Sequence, residues 1–226
     1  MTKTPIFTAR TVRFFRELGR NNSKPWMDEN RDRYRSAVVE PFRLLLDRVA
    51  PAAQKLNPRF VVSGRTGDNF SRINRDIRFA RDKTPYRTQM YLHFTEPGGE
   101  GGQLYVGISA ESVTSGFRIY GGEKTSPLVQ IGRVRGRENP KWIERQRRRL
   151  EKKYESYWYS TEKSEWTKHS GWPVNPEDWK KLQAWVVRKK FAPAAVTRAG
   201  FEAEVGKVFR DVYPLYPFVS SPNWKP

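Results

Sequence analysis

The sequence predicts an α+β fold: N-terminal helices, a central antiparallel sheet and C-terminal helices in a single domain over 1–226. Three observations predict it. Apolar residues recur at helical spacing over about 8–56, alternate with period two over about 60–120, and return to helical spacing over about 126–213. No segment repeats, and no long linker forces two domains. Helices set apart from a run of strands are the α+β pattern.

Phe7, Val12, Phe15 and Leu18 recur at near-helical spacing, with Gly19 placed to stop the helix. Asn21, Asn22 and Ser23 form a turn, and Ser23 is placed to cap a second helix with Pro25 in its first turn. That helix carries Trp26, Tyr34 and Val38. Pro41 either kinks it or opens another, which bears Phe42, Leu45, Leu46, Val49 and Leu56. Met90, Leu92 and Phe94 then alternate with Gln89, Tyr91 and His93, as a strand requires. The glycine-rich segment 98–102 is expected to be a flexible loop. Leu104, Val106 and Ile108 alternate again, as do Val113, Ser115, Phe117 and Ile119. The short link between these runs implies a hairpin, and Gly121 with Gly122 ends the block. Asn139-Pro140 opens a helix whose apolar stripe is Ile143, Leu150, Tyr154 and Tyr157. Asn175-Pro176 repeats the signal before Trp179, Leu182 and Val186. Phe201, Val205, Val208, Phe209 and Val212 mark a last amphipathic helix, closed near Pro214 and Pro217.

Composition narrows the function classes. Hydrophobic residues are only 37%, but 8 Trp, 10 Tyr and 13 Phe supply enough ring area to bury a core. With 43 Lys+Arg against 24 Asp+Glu the formal charge is +19, a field that attracts polyanions such as nucleic acid or anionic lipid. The bland alternative is a basic surface that keeps the protein soluble. The absence of cysteine excludes disulfides, thiolate catalysis and cysteine-ligated metal. Two histidines, His93 and His169, without metal-ligand spacing make a transition-metal site unexpected, and no cofactor is expected. No GxxxxGK[ST] loop or GxGxxG turn after a strand is present. The N-terminus lacks the apolar core of a secretory signal, and no run of about 18 apolar residues could span a membrane, so the expected location is the cytoplasm.

The chemistry concentrates in residues 70–86. As a strand from Phe70 to Phe79, one face presents Arg72, Asn74, Asp76 and Arg78, and the other Ile73, Arg75, Ile77 and Phe79. From Arg72 to Arg87, six bases meet two acids. Converging guanidinium forks match phosphate or carboxylate, so the ladder is a candidate anion site. Arg75, on the apolar face, needs a partner, for which Asp28, Glu29 or Asp32 are the candidates. Both the pocket and the scaffold readings expect these arginines to be at least partly buried. Asp82 starts a turn in which its side chain bonds the backbone two residues on, and Pro85 holds Thr84 extended, which delivers Lys83 and Tyr86 beside the ladder. Asp76, Tyr86 and Lys83 are the candidates for proton transfer. Arg72, Arg75, Arg78 and Asp82 are the candidate ligand-binding groups, with Trp26 and Tyr34 as the apolar wall of a small pocket. His93 is a candidate base or a hydrogen-bonded sheet residue.

These residues resemble the bacterial and fungal conserved-hypothetical family catalogued as domain of unknown function twenty-four sixty-one. Its R-x-x-R-D-x-R-F and D-K-x-P-Y motifs are matched by Arg72, Arg75, Asp76, Arg78 and Phe79, then Asp82, Lys83, Pro85 and Tyr86. Asn21, Asn22, Trp26, Asp32 and Tyr34 resemble its N-terminal pattern, and Trp185, Arg188, Lys189 and Phe191 its C-terminal one. Met27 stands where members carry a second aromatic, and the very basic region from about Tyr120 to Trp172 departs from the pattern. The resemblance implies one family-wide domain and singles out residues without naming a reaction.

A second reading uses the run from Arg133 to Lys153, where ten bases meet three acids. Arg145, Arg147, Arg148, Arg149 and Lys152, followed by Tyr154, Tyr157, Trp158, Tyr159 and Trp166, could grip nucleic acid through phosphates and stacking. The alternative is a solvated helix face. A third reading is a structural or partner-binding module, with the central motif acting as scaffold.

Overall fold

The computed structural model describes residues 4–98, 102–120, 127–162, 165–221 and 223–226. The chain is α+β. Helix α1 (Ala9–Arg20) starts at its cap Thr8, whose hydroxyl accepts the Arg10 N–H at 3.3 Å. It runs through Gly19 and ends at Asn21, so Gly19 is not the stop. There the Asn21 N–H bonds the Glu17 carbonyl at 3.0 Å, and its side-chain amide bonds the same carbonyl at 2.9 Å. Helix α2 (Lys24–Glu29) is capped by Ser23 with Pro25 in its first turn, as the spacing predicts.

Helix α3 (Arg31–Tyr34), a single π turn (Arg35–Val39) and α4 (Glu40–Leu56) continue without interruption, and Pro41 lies in the first turn of α4. Proline has no N–H, so the Ala37 carbonyl four residues earlier loses its helical donor. The buried Thr11 hydroxyl supplies one at 2.6 Å.

The antiparallel sheet has the order β1-β2-β3-β6-β4-β5. β1 (Gln89–Phe94), β2 (Gln103–Ser109) and β3 (Val113–Tyr120) match the predicted alternation, and a 3.0 Å bond from Ser109 N–H to the Ser112 carbonyl closes the hairpin. Three further strands lie where helix was expected: β4 (Glu155–Glu162), β5 (Glu165–Ser170) and β6 (Ala184–Phe191). Helix α5 (Pro127–Glu138) precedes α6 (Pro140–Leu150), which stops at Leu150, and α7 (Pro176–Lys181) stops at Lys181. Tyr157 therefore lies in β4 and Val186 in β6, and the sheet extends well beyond 60–120. Consecutive rings at Tyr157, Trp158 and Tyr159, and Trp185 beside Val186 and Val187, favour strands, where crowded side chains pack across a pleat. Sparse apolar positions three or four apart do not by themselves separate the two periods. Helix α8 (Phe201–Val212) is as predicted, and α9 (Leu215–Ser220) includes Pro217. Residues 99–101 of the glycine-rich segment, with Gly121 and Gly122, lie outside the described residues.

The chain divides into two compact units: Met1–Phe94, Val106–Thr114 and Phe191–Gly206; and Thr95–Tyr105, Ser115–Lys190 and Lys207–Pro226. In the first, Phe7 packs edge-on to Phe42 at 5.3 Å and Phe201 at 6.3 Å, and Phe42 meets Phe70 at 6.5 Å. In the second, Trp185 is the hub, with Phe117, Trp172 and Trp179 rings at 5.6, 5.1 and 5.4 Å. Trp179 lies directly on the backbone of α5 at Gly136, where any Cβ would collide with its ring. The lean aliphatic content is thus offset by aromatic packing in both units.

Candidate functional site

Residues 69–75 run antiparallel to 85–93 within the first unit. Asn69, fully buried, sets the approach: its amide donates to the carbonyls of Val61 at 2.8 Å and His93 at 3.1 Å, while its oxygen accepts the Gly64 N–H at 3.0 Å. His93 is buried in β1, and its N–H donates to the Asn69 carbonyl at 2.8 Å. Pairing continues through Ser71 N–H to Tyr91 O at 3.0 Å, Arg87 N–H to Ile73 O at 2.8 Å and Arg75 N–H to Pro85 O at 2.8 Å.

There it stops, so the expected strand Phe70–Phe79 is an extended segment with isolated bridges at Phe70 and Asn74. The hydrogen-bonded pairs are Ile73 with Arg87 and Arg75 with Pro85, so the next would be Ile77 with Lys83, and no backbone bond joins those two among the described residues. Asp82 Oδ1 accepts the Thr84 N–H at 2.9 Å, and the Arg75 guanidinium donates to the Thr84 carbonyl at 3.1 Å. Pro85 has no N–H to return the bond to Arg75, and side chains of the turn satisfy the Thr84 backbone instead. The two faces nevertheless match expectation up to Arg78: Arg72, Asn74, Asp76 and Arg78 are exposed, while Ile73, Arg75 and Ile77 are half-buried. Phe79 breaks the pattern; it is 95% exposed.

Both acids of the motif are wired to its own arginines. Arg75, 23% exposed, pairs with Asp82 and with the Thr84 hydroxyl, not with Asp28, Glu29 or Asp32. The partner comes from the motif's own turn, which Asp82 opens three residues before Pro85, the residue bonded to the Arg75 N–H. The Thr84 backbone N–H, the Thr84 hydroxyl and Arg75 together hold the Asp82 carboxyl down at about 2. Arg78 donates to both oxygens of Asp76, at 3.0 and 2.7 Å, and this contact lowers the Asp76 pKa. Arg78 is 77% exposed and Arg72 is also exposed, so of the three only Arg75 fits the expectation of partly buried arginines. Lys83 reaches back to the carbonyls of Ile77 at 3.0 Å and Arg78 at 3.3 Å, which closes the loop. Tyr86 is buried, and the Asn22 side chain clamps its backbone: the amide donates to Tyr86 O at 2.8 Å and the oxygen accepts Tyr86 N–H at 3.0 Å.

A cavity of about 410 Å³ opens beside this segment. Arg72, Asn74 and Ser71 line one side, Tyr34, Val39 and Arg43 the other, with Phe70 and Met90 among its apolar residues. Tyr34, Val39 and Arg43 are five and four residues apart. In an unbroken α-helix, at roughly 100° per residue, a five-residue step would turn Val39 about 140° from Tyr34. The π turn absorbs the extra residue and aligns all three. Burial pushes the Tyr34 phenol up to about 12, so it is a neutral hydrogen-bond donor near neutral pH. Neither Arg43 nor Arg72 has a carboxylate or hydrogen-bond partner among the described residues. Of the expected wall, Tyr34 lines the cavity; Trp26 does not, and stands 5.6 Å from the Phe14 ring. Arg75, Asp76, Arg78, Asp82, Lys83 and Tyr86 are also absent from the lining. Arg43 was missed in the sequence, where it reads as one more charge on a helix; the five-then-four spacing from Tyr34 was the available signal.

In the second unit the basic run of α5 and α6 is also extensively engaged. Arg133 donates to Leu182 O at 2.8 Å, and Arg135 to the carbonyls of Pro217, Phe218 and Ser221 at the end of α9. Arg147 bridges Glu144 at 2.7 Å and Glu151 at 2.6 Å, and Arg148 shares Glu144 at 2.6 Å. Hydrogen bonds from Arg147 and then Arg148 pull the Glu144 pKa to about 2. Arg149 binds the Asp211 carbonyl at 2.6 Å. Arg145 and Lys152 are exposed. The run is thus mostly a paired helix face.

The family model described as conserved hypothetical protein DUF2461 matches residues 10–218, from α1 into α9. The chain belongs to this family. No curated protein matches it. Membership in DUF2461 fixes kinship, and the chemistry has to come from the geometry. Among the described residues of this DUF2461 protein, no group of three His, Cys, Asp or Glu is arranged to hold a metal ion, and no helix is long and apolar enough to cross a membrane.

Proposed function

We propose that the cavity beside Arg72 binds a small anionic ligand, with Arg43 and Arg72 gripping its phosphate or carboxylate and Tyr34 donating a neutral hydrogen bond. One observation carries this: two arginines from separate segments line one cavity of about 410 Å³ without an acid among the described residues to neutralise them. An unpaired guanidinium is a charged donor fork suited to an oxyanion. The apolar residues Val39, Phe70, Ile73 and Met90 give the non-ionic part of the ligand a surface. The binding set thus moves from the Arg75–Arg78 ladder to Arg72 and Arg43. Arg75 and Arg78 are occupied and act as scaffold.

Thermal shift with inorganic phosphate, phosphorylated metabolites and small carboxylates tests the proposal. Arg43→Ala and Arg72→Ala should each weaken binding roughly 10- to 100-fold, as expected for a charged hydrogen bond, while Arg78→Ala binds as the parent does. Equal loss in all three variants, or no stabilising anion in the panel, sinks it.

A further inference from the structure

The extended segment beside the cavity spends only alternate residues on its neighbour. Ser71 N–H, Ile73 C=O and Arg75 N–H bond to residues 85–91, at 3.0, 2.8 and 2.8 Å. The isolated bridge between Asn74 and Tyr86 is made by the last two of these bonds, so Asn74 contributes no backbone group to it. The backbone N–H and C=O of both Arg72 and Asn74 have no hydrogen-bond partner among the described residues. The Asn74 side-chain amide has none either.

The chain across from them is treated differently. Tyr86 also turns its backbone groups away from the pair, and there the Asn22 side chain holds both, at 3.0 and 2.8 Å. One outer edge is therefore closed by the protein itself. The edge at Arg72 and Asn74 is open, and both residues line the cavity. An unpaired edge is a template for another extended chain. Here it offers two donors and two acceptors, two residues apart, in a cavity that also holds the guanidinium groups of Arg72 and Arg43. A sugar phosphate or a simple aliphatic acid would engage the arginines and leave that repeat of backbone groups unused. A peptide has the same repeat and ends in a carboxylate.

We propose that the cavity takes the C-terminus of an extended peptide, added to the Arg72–Asn74 edge as a short antiparallel strand. The inference rests on the reading of Arg43 and Arg72 as anion-binding groups and names their anion as a terminal carboxylate. Antiparallel is the direction that sets the carboxylate at Arg72 and carries the rest of the peptide past Asn74. The last residue lies opposite Arg72. Its N–H donates to the Arg72 carbonyl, and its carboxylate accepts the Arg72 N–H and the two guanidinium groups. The third residue from the end exchanges the same two backbone bonds with Asn74. The penultimate side chain shares a face with Ile73, which lines the cavity and is half-buried, so an apolar side chain suits that position.

Isothermal titration calorimetry on the full chain tests this with an N-acetylated tetrapeptide of alanines carrying leucine at its penultimate position and a free C-terminal carboxylate. It should bind at least about 10-fold more tightly than acetate, since each added backbone bond contributes about 2- to 12-fold. Amidation of its C-terminus should weaken binding about 10- to 100-fold, the loss of a charged hydrogen bond. Replacement of its last amide by an ester removes the N–H that meets Arg72 and should cost about 2- to 12-fold. These comparisons use the parent protein, so no variant has to fold. Arg43→Ala and Arg72→Ala should each weaken the peptide, and Arg78→Ala should not. In nitrogen-15 NMR the Arg72 and Asn74 amides should gain protection from solvent exchange when the peptide is added. If acetate or inorganic phosphate binds through Arg43 and Arg72 but the peptide binds no more tightly than acetate, the peptide is overturned and the anion reading stands. An ester peptide as tight as the amide has the same consequence. Peptide binding indifferent to amidation and to both arginine substitutions, or no binding of peptide, acetate or phosphate, overturns both.

Discussion

Asn22→Ala should be costly out of proportion to its place in a surface turn. The side chain makes the two hydrogen bonds that hold the Tyr86 backbone, at 2.8 and 3.0 Å. It is half-buried and Tyr86 is buried, so water replaces these bonds poorly. Two net hydrogen bonds contribute about 1–3 kcal/mol together. At about 2–4 °C per kcal/mol for a chain of this size, the melting temperature should fall by about 2–12 °C in a calorimetric scan. The Tyr86 amide should also exchange faster with solvent. Asn22→Asp separates the two bonds. At neutral pH the introduced carboxylate still accepts the Tyr86 N–H but sets a charged oxygen against the Tyr86 carbonyl. Protonation restores a donor, so the penalty relative to the parent should shrink as pH falls through the carboxyl's raised pKa. Asn22→Ala within about 0.5 kcal/mol of the parent, or an Asn22→Asp penalty indifferent to pH, would refute the clamp.

Two more outcomes are expected from the wiring. Thr11→Val leaves the Ala37 carbonyl buried without a donor and should cost about 1–3 kcal/mol in urea unfolding, with Thr11→Ser much milder; equal behaviour of the two would show that the 2.6 Å bond is idle. Asp82 should titrate at about 2 in a carbon-detected NMR experiment, below its ordinary 3.8. A depressed carboxylate contributes stability that is present above about 3.8 and lost as pH falls through about 2. Because the Thr84 backbone N–H is the largest cause, Arg75→Ala should move the midpoint only part of the way back; a full return would assign the shift to Arg75 instead.

Helix starts were the most legible part of the fold. Ser23 ahead of Pro25, and Asn175 ahead of Pro176, each mark a cap that the structure uses, the latter as a capping box with Asp178. Helix ends were not legible, because nothing local stops α6 at Leu150 or α7 at Lys181. The residues beyond each of those ends are claimed by the sheet, and sheet pairing is a long-range event. The register that joins Tyr157 to Val186 crosses 28 residues with a helix between them. At the candidate site the alternation of exposed and half-buried residues from Arg72 to Arg78 was readable, since period two survives in extended chain without a ladder. The partner of Arg75 was not, because it depended on how the turn that begins at Asp82 folds back beside the extended segment.

Charge density along a sequence is not charge available to a ligand. The densest stretch of the central motif places its acids where they occupy its own arginines: Asp76 takes Arg78, and Asp82 takes Arg75. The same happens in α6, where Glu144 alone engages both Arg147 and Arg148. A guanidinium already bonded to a carboxylate must give up that bond before it can grip an incoming anion, so these groups discriminate little in favour of a ligand. Among the described residues Arg72, Arg81 and Arg87 of the motif stand outside this wiring, and of these only Arg72 lines the cavity. Arg72 stands at the start of the motif, beyond reach of its acids, and Arg43 arrives from a helix whose phase is reset by one π turn. Pro41 removes a helical donor beside that turn, and Thr11 satisfies the carbonyl left over, so the conformation that carries Arg43 to the cavity is built into the core of the unit rather than left to the surface. On the proposed reading, the motif is the frame that holds Arg72 at a fixed place beside the cavity that Arg43 reaches from α4.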